Sequence, residues 1–310
     1  MKQIQLNIKK AKKYLNNDEC IGIPTETVYG LAANAYSNVA TSKIFKLKKR
    51  PKKNPLIVHY SSLEMLKKDC DLNKNFFKLF KQFSPGPITF VLKIKKNSKI
   101  SKNVTNNKKT LAIRFPKHSL TRKLLKMLKY PLAAPSANIS TKISPVSKED
   151  VKDEFGKKIK FILDGGQSKI GLESTIISLI NKPQILRLGG MQTSRINQIL
   201  KTNLKYSNKN KKIVAPGQGK VHYSPEIPIR LNVNKPKQYE AFILIKKRKL
   251  SGKNYYYLSK TNNLRKAAKN LYKTLRMIKK KNFKSIAVEK IPNIGFGEAI
   301  NDRLNRASKY

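Results

Sequence analysis

The first apolar positions of the chain, Ile4, Ile8, Ala11 and Leu15, recur at three- and four-residue steps and predict a helix with one buried face. A short apolar run over 20–23 follows, stopped by Pro24, and reads as a strand. Runs of the same character occupy 55–60, 88–94, 111–115 and 159–163. Two more, 176–180 and 185–188, predict a hairpin turning through Asn181, Lys182 and Pro183. Between the runs, helical spacing predicts helices near 38–48, 62–69, 73–82, 118–129, 147–155 and 193–201. Strands alternating with helices imply an α/β domain on a mixed, twisted sheet.

The pattern fails over 202–225, a stretch too long for an ordinary connection. Part of it is apolar and small, through Ile213, Val214, Ala215, Pro216, Gly217, Val221, His222 and Tyr223. A flexible spacer would instead be polar and rich in Gly or Ser. The stretch therefore reads as a lid folding back over the first unit. A second α/β unit follows, with strands expected at 241–246, 254–259 and 285–291 and helices at 262–280 and 296–308. The expected division is 1–202, a linker or lid over 203–226, and a small unit over 227–310.

Composition changes this picture in one respect. The chain has 310 residues and a formal charge of +51, which would ordinarily point to nucleic acid. Yet only 11 of its 68 basic residues are arginine, the residue best suited to forked phosphate and base contacts. The lysines are spread along the whole chain among many asparagines, and both residues use A/T-rich codons. Compositional bias accounts for the charge better than a binding footprint does, and RNA binding is the second reading. The two cysteines, Cys20 and Cys70, lack CxxC spacing and fit a reducing compartment. No apolar run reaches membrane-spanning length, so a cytoplasmic location and no membrane partner are expected.

Six segments carry candidate chemistry. Residues 24–31 pack two threonines, Glu26 and Tyr29 around Gly30 at the end of a strand, where open α/β sheets bind ligands. Lys48 and Arg50, with Asn54 and His59 beyond them, could clamp phosphates. Arg114 lies in an apolar strand, where its charge is costly unless an anion meets it. With 17 acidic residues in the chain, a ligand carboxylate or phosphate is the favoured partner, and a protein Asp or Glu the alternative. Residues 131–138, with Ser136, Asn138, then Ser140 and Ser144, allow close backbone approach to an anion. Residues 164–175, with Ser174, and 187–190, with Arg187, complete the set. The first and fourth segments also read plainly as hydroxyl-lined turns and the second as a solvated basic face, and the last two are weak alone. There is no P-loop, no GxGxxG, no GxSxG, and no metal spacing among the three histidines. Many polar and cationic groups without a covalent nucleophile suit a reaction run by positioning around ATP.

In this order, the six segments resemble the YrdC-type threonylcarbamoyl-adenylate synthases in their long form with an extra C-terminal domain. PTETVYGLA resembles the family's opening motif. Lys48-x-Arg50 with Ser136-x-Asn138 resembles its KxR…SxN tetrad. TLAIRFP, APSAN, GLESTII and ILRLGG fall where the family has them. PGQGKVHYSP resembles the linker motif, and the run 295–307 the C-terminal domain. Ala32 stands where the family often has Gly, and Gln218 where a Met commonly follows Pro-Gly.

The resemblance implies a YrdC-like twisted mixed sheet with flanking helices and a small C-terminal α/β domain. It implies a nucleotidyltransferase that joins L-threonine, bicarbonate or CO2, and ATP into threonylcarbamoyl-AMP and pyrophosphate. The product feeds the threonylcarbamoyladenosine modification of tRNAs reading ANN codons. Magnesium is expected with ATP, and transient contact with the tRNA-transfer machinery is a further implication. Lys48, Arg50, Ser136 and Asn138 are then the catalytic tetrad. Thr27, His59, Arg114, Ala134 and Ser174 would hold threonine. Arg50, Asn54, Thr110, Ser136, Ser144, Arg187 and Tyr223 would hold ATP, with Tyr223 closing over the nucleotide. A non-catalytic RNA-binding module of the same fold is the alternative.

Overall fold

Short runs rich in Ile, Val, Leu and Ala, apolar on both faces, form strands that helices must cover. A computed structural model describes residues 2–206, 222–247 and 252–309. The expected lid falls largely on 207–221, outside the described residues, as do 248–251. The first sheet has eight strands: β1 (Ile21–Ile23), β2 (Gly30–Asn34), β3 (Ile57–His59), β4 (Ile88–Lys93), β5 (Thr110–Arg114), β6 (Leu132–Ala133), β7 (Thr175–Ser178) and β8 (Gln184–Arg187). Their order is β1-β2-β6-β3-β5-β4-β7-β8. The β3–β5 and β4–β7 pairs are parallel and the rest antiparallel, so the sheet is mixed.

Helices α1 (Lys2–Asn16), α2 (Asn38–Lys48), α3 (Leu63–Asp69), α4 (Lys74–Phe83), α5 (Lys102–Thr105), α6 (Ser119–Lys126), α7 (Lys148–Phe155) and α8 (Thr193–Leu200) accompany this sheet. Their starts follow capping chemistry. Ser37, Ser62 and Asn73 each accept a backbone N–H of the first turn of α2, α3 and α4, and Ser147 with Asp150 makes a capping box on α7. Helix α1 buries Ile8, Ala11 and Leu15, on the face its spacing marks.

Two differences from the sequence reading have local causes. The run 159–163 is no strand: Ile162 makes one bridge to Gly22 before the Asp164-Gly165-Gly166 turn, with Gly166 at φ 69°, takes the chain away. Strand β2 was not expected, because its Gly, Leu, Ala and Asn lack β-branched residues. Its backbone is nevertheless paired on both sides.

The second unit holds β9 (Ile229–Arg230), β10 (Glu240–Leu244), β11 (Tyr255–Tyr257) and β12 (Ser285–Val288), all parallel in the order β11-β10-β12-β9. Helix α9 (Leu264–Lys279) crosses from β11 to β12, and α10 (Phe296–Ala307) follows β12. One apolar cluster runs through both units, from Leu172 and Leu188 to Leu271, Leu275 and Leu304. Gly171 marks how closely they meet. At φ 76°, any Cβ on it would lie 2.5 Å from the Lys269 carbonyl of α9. Among the described residues, no helix is long and apolar enough to cross a membrane.

Candidate functional site

Strands β3 and β5 run parallel in register, placing His59 beside Arg114 at their carboxyl ends. Strand β8 ends on Arg187, and the loop between β1 and β2 crosses the same edge. Three further segments complete a cleft: the residues after β6, those before β7, and His222 with Tyr223. Of the sequence candidates, Thr27, Arg50, His59, Arg114, Ala134, Ser136, Ser174, Arg187 and Tyr223 line it. Lys48, Asn54, Thr110, Asn138 and Ser144 do not.

Arg114 finds its anion within the protein. Its Nη2 lies 2.7 Å from Glu26 Oε1, its Nη1 donates to Thr27 Oγ1 at 2.8 Å, and its Nε donates to Gly86 O at 3.2 Å. The favoured reading, a ligand anion as the partner, gives way to the alternative of a protein carboxylate, and the opening motif carries it. Glu26 is held in turn by the Lys117 N–H at 2.9 Å. Thr25 Oγ1 lies 2.8 Å from Thr27 Oγ1. The guanidinium is thus rigidly aimed, its charge neutralised from behind.

Helix α2 explains the Lys48 and Arg50 pair. Lys49 caps it in the left-handed conformation at φ 48°, leaving Lys48 as the last helical residue and swinging Arg50 off the helix. Lys48 is almost wholly buried. Its ammonium donates to the Ser136 carbonyl at 2.5 Å and to the Asn138 carbonyl. Burial, then the neighbouring Arg50, pushes its pKa well below the usual lysine value. Lys48 therefore props the Ser136–Asn138 loop from behind the cleft. Asn138 closes that loop through its own amide, which donates to Ile139 O and Lys142 O.

Arg50 does line the cleft. It donates to the carbonyls of Asn54 at 3.0 Å and Pro55 at 2.8 Å and, among the described residues, makes no ion pair. Burial, then Arg187, pushes its pKa down to about 9, the signature of a region short of negative charge. Arg187 donates from Nε and Nη2 to Ser174 O at 3.1 and 2.8 Å, and from Nη2 to Ser174 Oγ at 3.1 Å. Ser174 Oγ also lies 2.7 Å from Thr89 Oγ1.

Glu173 is the one carboxylate lining the cleft among the described residues. Burial raises its pKa, but Arg303, Arg187 and Ser144 outweigh that and hold it at about 2. Ser144 acts here by donating to Glu173 Oε1 at 2.5 Å. Thr110 stands at the far end of β5, about 13 Å of strand from Arg114. Burial, with Arg114 adding, lowers the His59 pKa well below the ordinary value, so its imidazole is neutral. Buried polar atoms without a partner among the described residues gather at this edge: His59 Nδ1, His222 Nδ1 and Tyr223 Oη. Such atoms are costly to leave unpaired, which favours a polar ligand.

Sequence reading held Thr25 and Glu173 only as members of candidate segments, without a role, and passed over Thr89. The signal was scarcity. A carboxylate inside a hydroxyl-rich segment of so basic a chain is a built-in counter-ion.

The chain resembles known proteins over nearly its whole length. The family described as telomere recombination matches residues 13–189, and the threonylcarbamoyl-AMP synthase C-terminal domain matches residues 191–309. The threonylcarbamoyl-AMP synthase of Pyrococcus abyssi is 35% identical, across 98% of this chain and 94% of the relative. That of Bacillus subtilis is 33% identical, across 97% and 92%. The crystal structure of P. abyssi Sua5 complexed with L-threonine superposes with a TM-score of 0.89 at 32% identity, covering 98% of this chain and 94% of that one.

Proposed function

The chain belongs to the threonylcarbamoyl-AMP synthase family, and on that premise we propose how its cleft divides the work. It forms threonylcarbamoyl-AMP from L-threonine, CO2 or bicarbonate, and ATP, for tRNA modification. The amine of threonine gives up a proton and takes up CO2 as a carbamate; starting from bicarbonate, water is lost. A carbamate oxygen attacks the α-phosphorus of ATP. The bond to the bridging oxygen breaks, and pyrophosphate leaves with the electron pair. This makes the enzyme a nucleotidyltransferase.

Arg114, braced by Glu26, takes the threonine carboxylate as a fork. Thr27, neutral His59 and Ser174 take its hydroxyl and amine, and Ala134 packs against it. Arg50 and Arg187 hold the phosphates, and Ser136 is kept in reach by Lys48 and Asn138. Asn54 fixes Arg50, and Ser144 fixes Glu173. Thr110 reaches ATP only if the nucleotide extends along β5. Tyr223 covers the nucleotide and excludes water, which protects a hydrolysable adenylate.

Magnesium fits as a companion of ATP rather than as a resident ion. Among the described residues no cluster of three His, Cys, Asp or Glu side chains could cage a metal. Both oxygens of Glu173 are already taken. The small ion ordinarily keeps its waters and rides on substrate phosphates. It would shield phosphate charge there. With two buried cysteines and no spanning helix among the described residues, the cytoplasm is the natural compartment.

The observation that carries this reading is the convergence of Arg50, Arg114 and Arg187 on one cleft whose one lining carboxylate among the described residues, Glu173, already has protein partners. That arrangement asks for a polyanion and a carboxylate together, which an RNA-binding face does not. The test is to incubate the protein with threonine, bicarbonate and ATP. Pyrophosphate and threonylcarbamoyl-AMP should appear together, and neither should form when any substrate is omitted. Pyrophosphate without threonine would overturn the reading.

A further inference from the structure

Glu173 is held from the far side by the second unit. Arg303 of α10 donates from Nε to Glu173 Oε2 at 2.9 Å and from Nη2 to Leu188 O at 2.7 Å. Tyr272 of α9 reaches both carboxylate oxygens with its hydroxyl, at 3.0 Å each. All three side chains are buried. The same two residues also hold Tyr223: the Arg303 guanidinium lies 4.7 Å over its ring, and the Tyr272 ring stacks at 5.9 Å and 21°. Glu173 O accepts the Gly190 N–H at 2.8 Å, and a Cβ on Gly189 would lie 2.3 Å from that oxygen. No side chain can therefore enter between Glu173 and the segment that follows Arg187.

We propose that Arg303 and Tyr272 are positioning residues for adenylate formation: through Glu173 they set Ser174 and the end of β8, and through the Tyr223 ring they set the cover of the nucleotide. The inference rests on the synthase reading above and assigns the second unit a role in the cleft. One guanidinium braces the threonine side and the nucleotide side at once. Neither residue lines the cleft. Without the second unit the Glu173 carboxylate would keep only Ser144 and Arg187, and the Tyr223 ring would lose both of its supports.

The groups facing Glu173 are Arg303 and Tyr272 from the second unit, Ser144 and Arg187 from the first, with Tyr223 and His222 beside them. Arg303→Ala removes the strongest cation on the carboxyl, so its pKa rises and protonation enters the working range from the acid side. Full-length Arg303→Ala should lose on the order of 10²-fold in kcat/KM for ATP and threonine together, the scale of an ångström of misplacement. It should also gain an acid limb in its pH–rate profile, and guanidinium at a low, non-denaturing concentration should restore part of the rate. Tyr272→Phe should lose less and shift the same limb. If Arg303→Ala fails to fold, Arg303→Lys carries the test. It keeps the charge but not the fork to Glu173 and Leu188, and should show the same joint loss. A folded Arg303→Ala with wild-type kcat/KM, a flat acid side or no response to guanidinium overturns the inference, as does a folded Arg303→Lys with wild-type kcat/KM. Wild-type protein runs alongside. If it makes no adenylate, the synthase reading fails; if it does and the variants match it, this inference alone fails.

Discussion

Replacing Lys48 by methionine tests whether this lysine braces a loop or touches phosphate. Methionine keeps the length and apolar stem but removes both donations, to the carbonyls of Ser136 and Asn138. A hydrogen bond from a charged group is worth about 1.5–3 kcal/mol, so the two together amount to about 3–6 kcal/mol. Against this stands relief from burying an ammonium, whose cost is evident in the depressed Lys48 pKa. The net loss should be about 2–4 kcal/mol, which in a chain of this size lowers Tm by roughly 5–15 °C. The Ser140 N–H to Lys48 O bond, 2.8 Å long, belongs to the backbone and survives, so the loop should loosen without detaching. Thermal unfolding and pyrophosphate release over a range of ATP should therefore change together. Because the effect travels through Ser136, the defect should be nearly independent of salt. A variant with unchanged Tm, whose ATP use is impaired in a salt-sensitive way, would show that Lys48 swings out to meet phosphate and would refute the argument.

Two shorter predictions follow from the same cleft. Valine in place of threonine should release pyrophosphate at least ~10⁴-fold less efficiently, because Thr27, His59 and Ser174 would be left facing a missing hydroxyl; near-equal turnover in a coupled pyrophosphate assay would rule that pocket out. The Glu173 carboxyl sits at about 2 against an ordinary 4.5, so its stabilising contribution is present above pH ~4.5 and is lost as pH falls through ~2. Urea unfolding across that window should show a loss of about 3 kcal/mol that Glu173→Gln lacks, and identical pH slopes for the two proteins would contradict it.

Much of the first sheet was legible because β3, β4, β5, β7 and β8 are buried over most of their length and read as short apolar runs, with polar residues such as Arg114 and Arg187 at their ends. Strand β2 was not, since Gly30, Ala32 and Ala33 carry no strand preference and are held by the neighbours their small size admits. The site divides in the same way. Arg50, Arg114 and Arg187 were legible from motif order. The bracing around them was not, because Glu26 lies 88 residues from Arg114, and Glu173 lies 99 from Tyr272 and 130 from Arg303. Pairings over such distances leave no periodicity for a local pattern to reveal. What can be read is that one carboxylate sits inside each of two hydroxyl-rich motifs.

The same contrast settles where the charge of +51 belongs. Among the described residues, five arginines are buried, namely Arg50, Arg114, Arg187, Arg303 and Arg306, against one lysine, Lys48. Arginine is rare in the chain yet supplies every cation lining the cleft. The physical reason is that a guanidinium keeps its proton when buried and offers a planar fork, whereas a buried ammonium loses its charge readily. Lys48 shows the cost rather than the loss of charge: burial depresses its pKa, and its ammonium ends on two carbonyls rather than on a carboxylate. Exposed lysines need neither property and cost little wherever a point charge is tolerated. The lysine excess is thus a feature of the surface, while the buried cations of the cleft are arginines, of which Arg114 is aimed by Glu26.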